Sequence, residues 1–429
     1  MQWLSRFFDG ILSPASTVFL LFSGILLTLF LRPWRTLRRA ASGLSARSSR
    51  SALLTALGGT IGVGNISGVA LALSCGGPGA LFWMWVSSIV AMSVKYTEIL
   101  LACHYRISRN GGYHGGAPLY ISALIGRIPA AIFSALCMLT AMSVGSGVQT
   151  AAVADAFEDA FSVPKAVTGI FLTAAAAVCI LGGTKRITRF TDKLVPLMTL
   201  IYTALSLYII ITDRAGLPAV MKAIFQGAFN PGAARGGIIG VLTGGAVRYG
   251  ISRGLVSNEA GCGTAPFAHA TAEGKHPAEQ AAFGFVEVFV DTMLLCSLTG
   301  ISMLLAFGGE VLADGSGMEC VMAAFGFYFG EAAPALLALS VLLFAYGSII
   351  CWDFYGSECL LLRGASKKRQ QAFLIVFLAS VFLGSVVDRE VIWFFSDASC
   401  CLMLLCNLPA LLAGMKTARS LTEEYISRK

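Results

Sequence analysis

Residues 55–79 read TALGGTIGVGNISGVALALSCGGPG. The stretch is apolar enough to enter a bilayer, yet Gly58, Gly59, Gly62 and Gly64 fall within seven residues. Each glycine costs about 1 kcal/mol against alanine in a helix interior, which disfavours one continuous helix. Thr60 and Asn65 add polar side chains at the same place. The pattern predicts two half-helices with an unwound middle over residues 59–65. Loose backbone is tolerated at membrane depth only where it is buried in protein or lines a cavity. There, freed N–H groups can receive a carboxylate and freed C=O groups a small cation. A competing reading is close helix packing through small residues, since Gly64 and Gly68 form a GxxxG pair.

Working outward, the whole chain shares this apolar character. Of its 429 residues, 56% are hydrophobic and 13% charged, with a mean hydropathy of +0.76. Soluble proteins carry about 25% charged residues, so this is an integral membrane protein. Apolar runs of about 20 residues suit spanning helices rather than barrel strands. They fill nearly the full length and leave no room for a separate soluble domain. The net charge of +8 fits basic cytoplasmic loops and does not imply nucleic acid. Twelve cysteines without a CxxC read as small core residues. His104, His114, His269 and His276 make no zinc spacing. The first apolar run, 14–31, is followed by arginines and reads as a retained span rather than a cleaved signal.

The expected architecture is an all-α polytopic membrane protein of about eleven spans. An N-terminal helix covers 14–31. A first set of five follows at 51–74, 79–105, 128–155, 165–182 and 193–212. A second set of five covers 236–270, 277–306, 332–361, 371–387 and 391–414. In units, 1–50 is the N-terminal helix with a basic loop, 51–212 and 213–414 are two five-helix repeats, and 415–429 is a tail. Basic loops at 32–50, 106–127, 185–193 and 363–369, with the tail, all land on one side when eleven spans are drawn. That side is the cytoplasm, which places the N-terminus outside and the C-terminus inside the cell membrane. Residues 307–331 hold Glu310, Asp314, Glu319 and Glu331 without Lys or Arg, as an outer loop should. GNISG at 64–68 is echoed by SNEAG at 257–261, each leading a five-helix set. An odd number of helices per set inverts the second, so the pattern is that of an inverted-repeat transporter.

Candidate site residues gather at the two breaks. The second, RYGISRGLVSNEAGCGTAP at 248–266, is polar for a membrane span. It reads either as a site wall with an Arg–Glu gate formed by Arg248, Arg253 and Glu259, or as a wetted cytoplasmic hairpin. Gln149, in an apolar helix, suits either helix–helix bonding or a ligand. Ser348 and Trp352 share one helix face at i and i+4. Asp353 points elsewhere and is expected near the cytoplasmic end with Glu358. Lys95 and Glu98, at i and i+3, are expected to form a local ion pair. Glu287 and Asp291, at i and i+4, are like charges in a span and need a cation, an Arg or a proton. No nucleophile constellation or phosphate-cradling loop stands out; a membrane-embedded enzyme stays open at this point, because catalytic residues need not be adjacent in sequence.

Five motifs together resemble the alanine or glycine:cation symporter family of the amino-acid/polyamine/cation superfamily. They are TxxGGTIGVGNISGVALALSCGGPGALFWMW, KYTEILLACHYR (95–106), GGTKRITRFTDKLVPLM (182–198), RYGISRGLVSNEAGCGTAPFAHA (248–270) and WDFYGSECL (352–360). The resemblance spans nearly the whole chain. It implies a five-plus-five inverted repeat with one extra N-terminal helix. It also implies sodium-coupled uptake of a small neutral amino acid, alanine or glycine and sometimes the D-form. By motif, Gly62, Gly64, Asn65, Gln149, Ser257, Asn258 and Trp352 are implied to hold the amino acid. The sodium ion, the only companion expected and no resident cofactor, is placed near Thr60, Val63 and Ser348. The chain departs from the pattern at Cys262, where leucine is usual, and at Asp353, where Ser or Thr is usual. Proton coupling, a channel or a membrane-embedded enzyme are the alternatives.

Overall fold

The computed structural model describes residues 13–40, 46–109, 111–229, 245–274, 276–310 and 317–427. The expected start of the second set, 236–244, lies outside the described residues, as does Asp314.

The chain is almost wholly helical. Helix α1 (Ser13–Leu31) precedes the first broken span, formed by α2 (Arg47–Thr60) and α3 (Ser67–Gly76). The long α4 (Gly79–Tyr105) follows. A hairpin of β1 (Ile107–Arg109) and β2 (Gly112–His114) and a short α5 (Ala117–Leu124) lead into α6 (Arg127–Phe161). Helices α7 (Lys165–Ile180) and α8 (Thr184–Thr212) follow. Helix α9 (Leu217–Ala228) bridges to the second broken span, α10 (Gly245–Asn258) and α11 (Ala265–His269). Then come α12 (Pro277–Ala306), α13 (Gly317–Phe329), α14 (Ala333–Leu362), α15 (Lys367–Gly384), α16 (Arg389–Ala413) and α17 (Met415–Ser427).

Among the described residues, seven helices are long and apolar enough to cross a bilayer, or eight when the bent pair is counted as one span. Both broken spans lie inside the bundle. Helix α10 packs along α4 and α3, while α2 packs against α8, α11 and α14. Helices α5, α9, α13 and α17 were not among the expected spans. All four are 13 residues or shorter, and α17 is the amphipathic tail; they lie in segments read from the sequence as connections.

The hairpin is tied to the bundle by one pH-sensitive bond. His114 Nδ1 lies 3.1 Å from both carboxylate oxygens of Glu358. That bond raises the imidazole above its ordinary pKa. A raised folded value means the contribution is complete below the unfolded pKa of about 6.5 and is lost as pH rises through the folded value. His114→Gln is therefore expected to melt below the parent protein at about pH 5.5, with the gap closing toward about pH 9. A gap independent of pH in a thermal melt would exclude this role for the ion pair. Glu358 is thus engaged with the hairpin, apart from Asp353, which is 3% exposed with Oδ1 lacking a partner.

Candidate functional site

The first break is real. Helices α2 and α3 meet at 66°, with Ile61 and Gly62 extended and a single 3-10 turn at Val63–Asn65. The glycines divide by role. A Cβ on Gly59 would collide with the Tyr355 ring and hydroxyl, and one on Gly62 would press on the Gln149 amide at 3.0 Å. A Cβ on Gly64 or Gly68 would meet nothing within 4 Å. The GxxxG pair therefore packs against no helix. Gly64 instead borders open space, which decides between the two readings in favour of the break.

Side chains from distant elements satisfy the freed backbone. Asn65 Oδ1 accepts from Gly62 N at 3.0 Å, and Gln149 Oε1 accepts from Val63 N at 3.0 Å. Ser348 Oγ donates to Gly59 O at 3.0 Å, and Thr299 Oγ1 donates to Asn65 O at 2.8 Å. Gln149 follows directly on a π-helical stretch, Ala141–Val148, in the middle of α6. Such wide turns recur at functional sites because they leave local carbonyls available. Here Val144 O accepts from Gln149 Nε2 at 3.2 Å, which fixes the amide against the break.

The second break turns through three left-handed residues: Glu259 at φ 52°, Gly261 at 89° and Gly263 at 73°. Glycine adopts this conformation freely. Glu259 does not, and its carboxylate is held by Thr264 Oγ1 at 2.5 Å. Asn258 Oδ1 caps Ala260 N at 3.1 Å. Glu98 Oε1 accepts from Gly263 N at 2.9 Å and from Asn407 Nδ2 at 2.6 Å. Two sequence expectations are corrected here. Lys95 pairs with Glu287 at 3.0 Å rather than with Glu98, because Glu98 is taken by the freed backbone of the break. Arg253 pairs with Asp397 at 3.7 Å and stacks over Trp393, so the expected pairing of Arg253 with Glu259 is not formed.

The two breaks touch through Asn65. Its Nδ2 donates to Asp291 Oδ1 at 2.6 Å and to Ser257 Oγ at 3.2 Å. Ser257 in turn donates to Asp291 Oδ2 at 3.0 Å. Thr60 Oγ1 donates to Glu287 Oε1 at 2.9 Å, whose other oxygen faces His269 Nε2 at 3.2 Å. Thus Thr60, Gly62, Val63, Asn65, Gln149, Ser257, Asn258 and Ser348 do converge. Trp352 is also buried there, packed on Gly145 and the Tyr355 ring, with its indole N–H lacking an acceptor. Asp291, Thr292 and Glu287 belong to the same cluster and were not named as site residues. Their only sequence signal was an unexplained like-charge pair, and the π-helical stretch Phe289–Cys296 that aims Asp291 and Thr292 left no mark in the pattern.

Space opens on one side of this cluster. A cavity of about 130 Å³ touches Ser67 at the start of α3, with Val148, Ala151 and Trp393. That is several times the roughly 10–15 Å³ one water needs. It shares Ala151 and Asp155 with a cleft of about 470 Å³ whose mouth carries Glu158 and Lys165. On the other side, Tyr355 closes on Gly59 and stacks on Phe267 at 5.8 Å. A separate cavity of about 390 Å³ lies between α1, α10 and α16, and Arg248, Arg253 and Ala260 of the second break line it.

Two breaks joined by side chains, with a hollow beside one, describe a transporter core. Comparison with known proteins agrees: the sodium:alanine symporter family matches residues 4–429. The chain belongs to the sodium:alanine symporter family. It is 36% identical over 372 residues to the sodium/alanine symporter AgcS of Methanococcus maripaludis, covering 84% of this chain and 80% of that one. It is 33% identical over 401 residues to the amino-acid carrier protein AlsT of Bacillus subtilis, covering 93% and 85%. Its fold is similar to that of MhsT, solved with L-phenylalanine, at a TM-score of 0.58 and 13% identity over 89% of this chain and 98% of that one. A manganese transporter of Eremococcus coleocola is similar at a TM-score of 0.52 and 15% identity, covering 88% and 91%. As a member of the sodium:alanine symporter family, the protein is a multi-pass membrane transporter that moves amino acids by symport, and it is not an enzyme.

Proposed function

We propose that the protein takes up small neutral amino acids, alanine or glycine and including D-alanine, by sodium-coupled symport with alternating access. The observation that carries this reading is the Asn65 bridge between the two breaks, with open space where a Gly64 side chain would lie. In this reading the substrate carboxylate meets Asn65 and half-helix N–H groups of the first break, taking the place of the side-chain oxygens of Asn65 and Gln149 that now hold Gly62 N and Val63 N, and its ammonium meets carbonyls of the second break. Gly62, Gly64, Asn65, Gln149, Ser257 and Asn258 form the walls. Trp352 supplies an apolar face and one free donor, which limits side-chain size. Sodium lies among the carbonyls near Thr60 and Val63 and the Ser348 hydroxyl, where hard oxygen ligands converge.

Eleven spans, an external N-terminus and a cytoplasmic C-terminus in the cell membrane complete the reading. With that orientation the 470 Å³ cleft faces outward and the Tyr355–Gly59 contact seals the inner side. A second reading, proton coupling, draws on Asp353, a buried carboxyl without a partner on Oδ1.

The test is uptake of labelled D-alanine, L-alanine and glycine into proteoliposomes under an imposed sodium, lithium or proton gradient. Accumulation driven by sodium alone is the expected result. Accumulation that follows a proton gradient and ignores sodium would transfer the coupling role to Asp353. Downhill flux without accumulation would indicate a channel.

A further inference from the structure

Cys75, Cys262, Cys400 and Cys401 all line the 390 Å³ cavity between α1, α10 and α16, and all are free thiols. Cys401 Sγ lies 3.3 Å from Ser16 Oγ on α1. Cys400 instead faces the second break, with its thiol in hydrogen-bonding contact with that of Cys262. The helix sets this up, because Cys400, Leu404 and Asn407 fall at i, i+4 and i+7 and share one face. Asn407 Nδ2 donates to Gly261 O at 2.8 Å, and a Cβ on Gly261 would meet Leu404 at 3.4 Å. One face of α16 therefore touches residues 261 and 262 together. Higher up, Arg253 and Asp397 join the same two elements at 3.7 Å. Each of these ties is a hydrogen bond, an ion pair or a contact, so each can part and re-form.

We infer that Cys262 and Cys400 are a site of oxidative modification, closing to a reversible disulfide that fastens the second break to α16 and arrests transport. The arrest rests on the alternating-access reading above; the bond itself does not. The oxidant is a hydroperoxide, and a cavity of about 390 Å³ has ample room for one. Cys400 is the more exposed thiol and reacts first. Its sulfur attacks one peroxide oxygen and the O–O bond breaks. The departing oxygen takes the thiol proton, and Cys400 is left as a sulfenic acid. The Cys262 sulfur then attacks Cys400 sulfur; the S–O bond breaks and the hydroxyl leaves with the Cys262 proton as water. Two thiols have lost two electrons and the peroxide has gained them.

Position favours this pair over the others. The cavity shares Leu71 with the 130 Å³ hollow, which places it on the side of the 470 Å³ cleft. In the orientation proposed above that side is the outer one, where disulfides form and persist. A second thiol contact, Cys137 of α6 with Cys359 of α14, is wholly buried and serves as an internal comparison. The consequence follows from bond type. The Asn407 bond to Gly261 O can break as the turn moves against α16, whereas a covalent link next to it cannot.

The test treats full-length protein in proteoliposomes with hydrogen peroxide, then with dithiothreitol, and follows labelled alanine uptake and the cross-linked peptides by mass spectrometry. The expected result is a Cys262–Cys400 peptide, a loss of uptake in proportion to the linked fraction, and recovery of both on reduction. Cys400→Ala and Cys262→Ala are expected to transport like the reduced parent and to keep that rate under peroxide. Should Cys262→Ala fail to fold, Cys400→Ala carries the comparison, and the peptide map of the parent stands without either. No Cys262–Cys400 peptide, or a link through Cys401 or between Cys137 and Cys359 in its place, would overturn the inference. So would a fully linked protein that transports at the parent rate, or equal inactivation of the parent and Cys400→Ala. A reduced parent that accumulates no amino acid under any gradient would overturn the symport reading, and the arrest with it, while the peptide map still decides the bond.

Discussion

Asn65→Ala is expected to abolish amino-acid uptake while the protein is still made and inserted. The side chain accepts from Gly62 N and donates to Ser257 and Asp291, all in a dry interior. Truncation leaves at least two buried polar groups unpaired, the Gly62 N–H and Asp291 Oδ1. Each costs roughly 1–3 kcal/mol. Because these groups define the meeting point of the two breaks, the loss falls on the binding geometry, and a fall of at least about 100-fold in uptake follows from about 3 kcal/mol. Expression and detergent monodispersity are the controls. Uptake near the parent rate in this variant would remove Asn65 from the site.

The second large effect concerns stability. Lys95 and Glu287 are both fully buried and 3.0 Å apart, in a pair that also engages Thr60 and His269. Removing one partner of a buried pair costs about 3–5 kcal/mol, because the other charge is stranded. Lys95→Met should therefore unfold at markedly lower temperature. Lys95→Met combined with Glu287→Gln should recover most of the loss, since no charge is then left behind. The double-mutant cycle reads the coupling directly. Additive losses in the two single variants would show that the pair acts as two independent residues. The same pair sits one bond from Thr60, so uptake should fall in Lys95→Met even at temperatures where it stays folded.

Much of this was legible in the residues. Glycine density and two buried-type polar residues foretold the break at 59–65, because backbone preference is local and needs no partner. Gln149 was visible as a lone amide in an apolar helix, and Ser257 and Asn258 as polar residues in a span. Partner choice was not legible. Lys95 and Glu98 sit on neighbouring turns, yet each bonds to a different element, because the freed N–H of Gly263 competes for Glu98. Arg253 likewise reached Asp397 instead of Glu259, whose carboxylate the turn itself uses.

The sequence alone determined that the chain lives in a bilayer, that its helices break twice, and that it belongs with symporters. These follow from composition, periodicity and motif, which are properties of neighbours along the chain. The tertiary structure decided which carboxylate is neutralised and which is left to neutral donors. It also decided that Gly64 borders space while Gly59 meets Tyr355. Both depend on distances between residues far apart in the chain, and on π-helical turns that rotate Asp291 and Gln149 toward the break without any local signature. Charge balance in a low-dielectric interior is set by packing, and no one-dimensional pattern contains it.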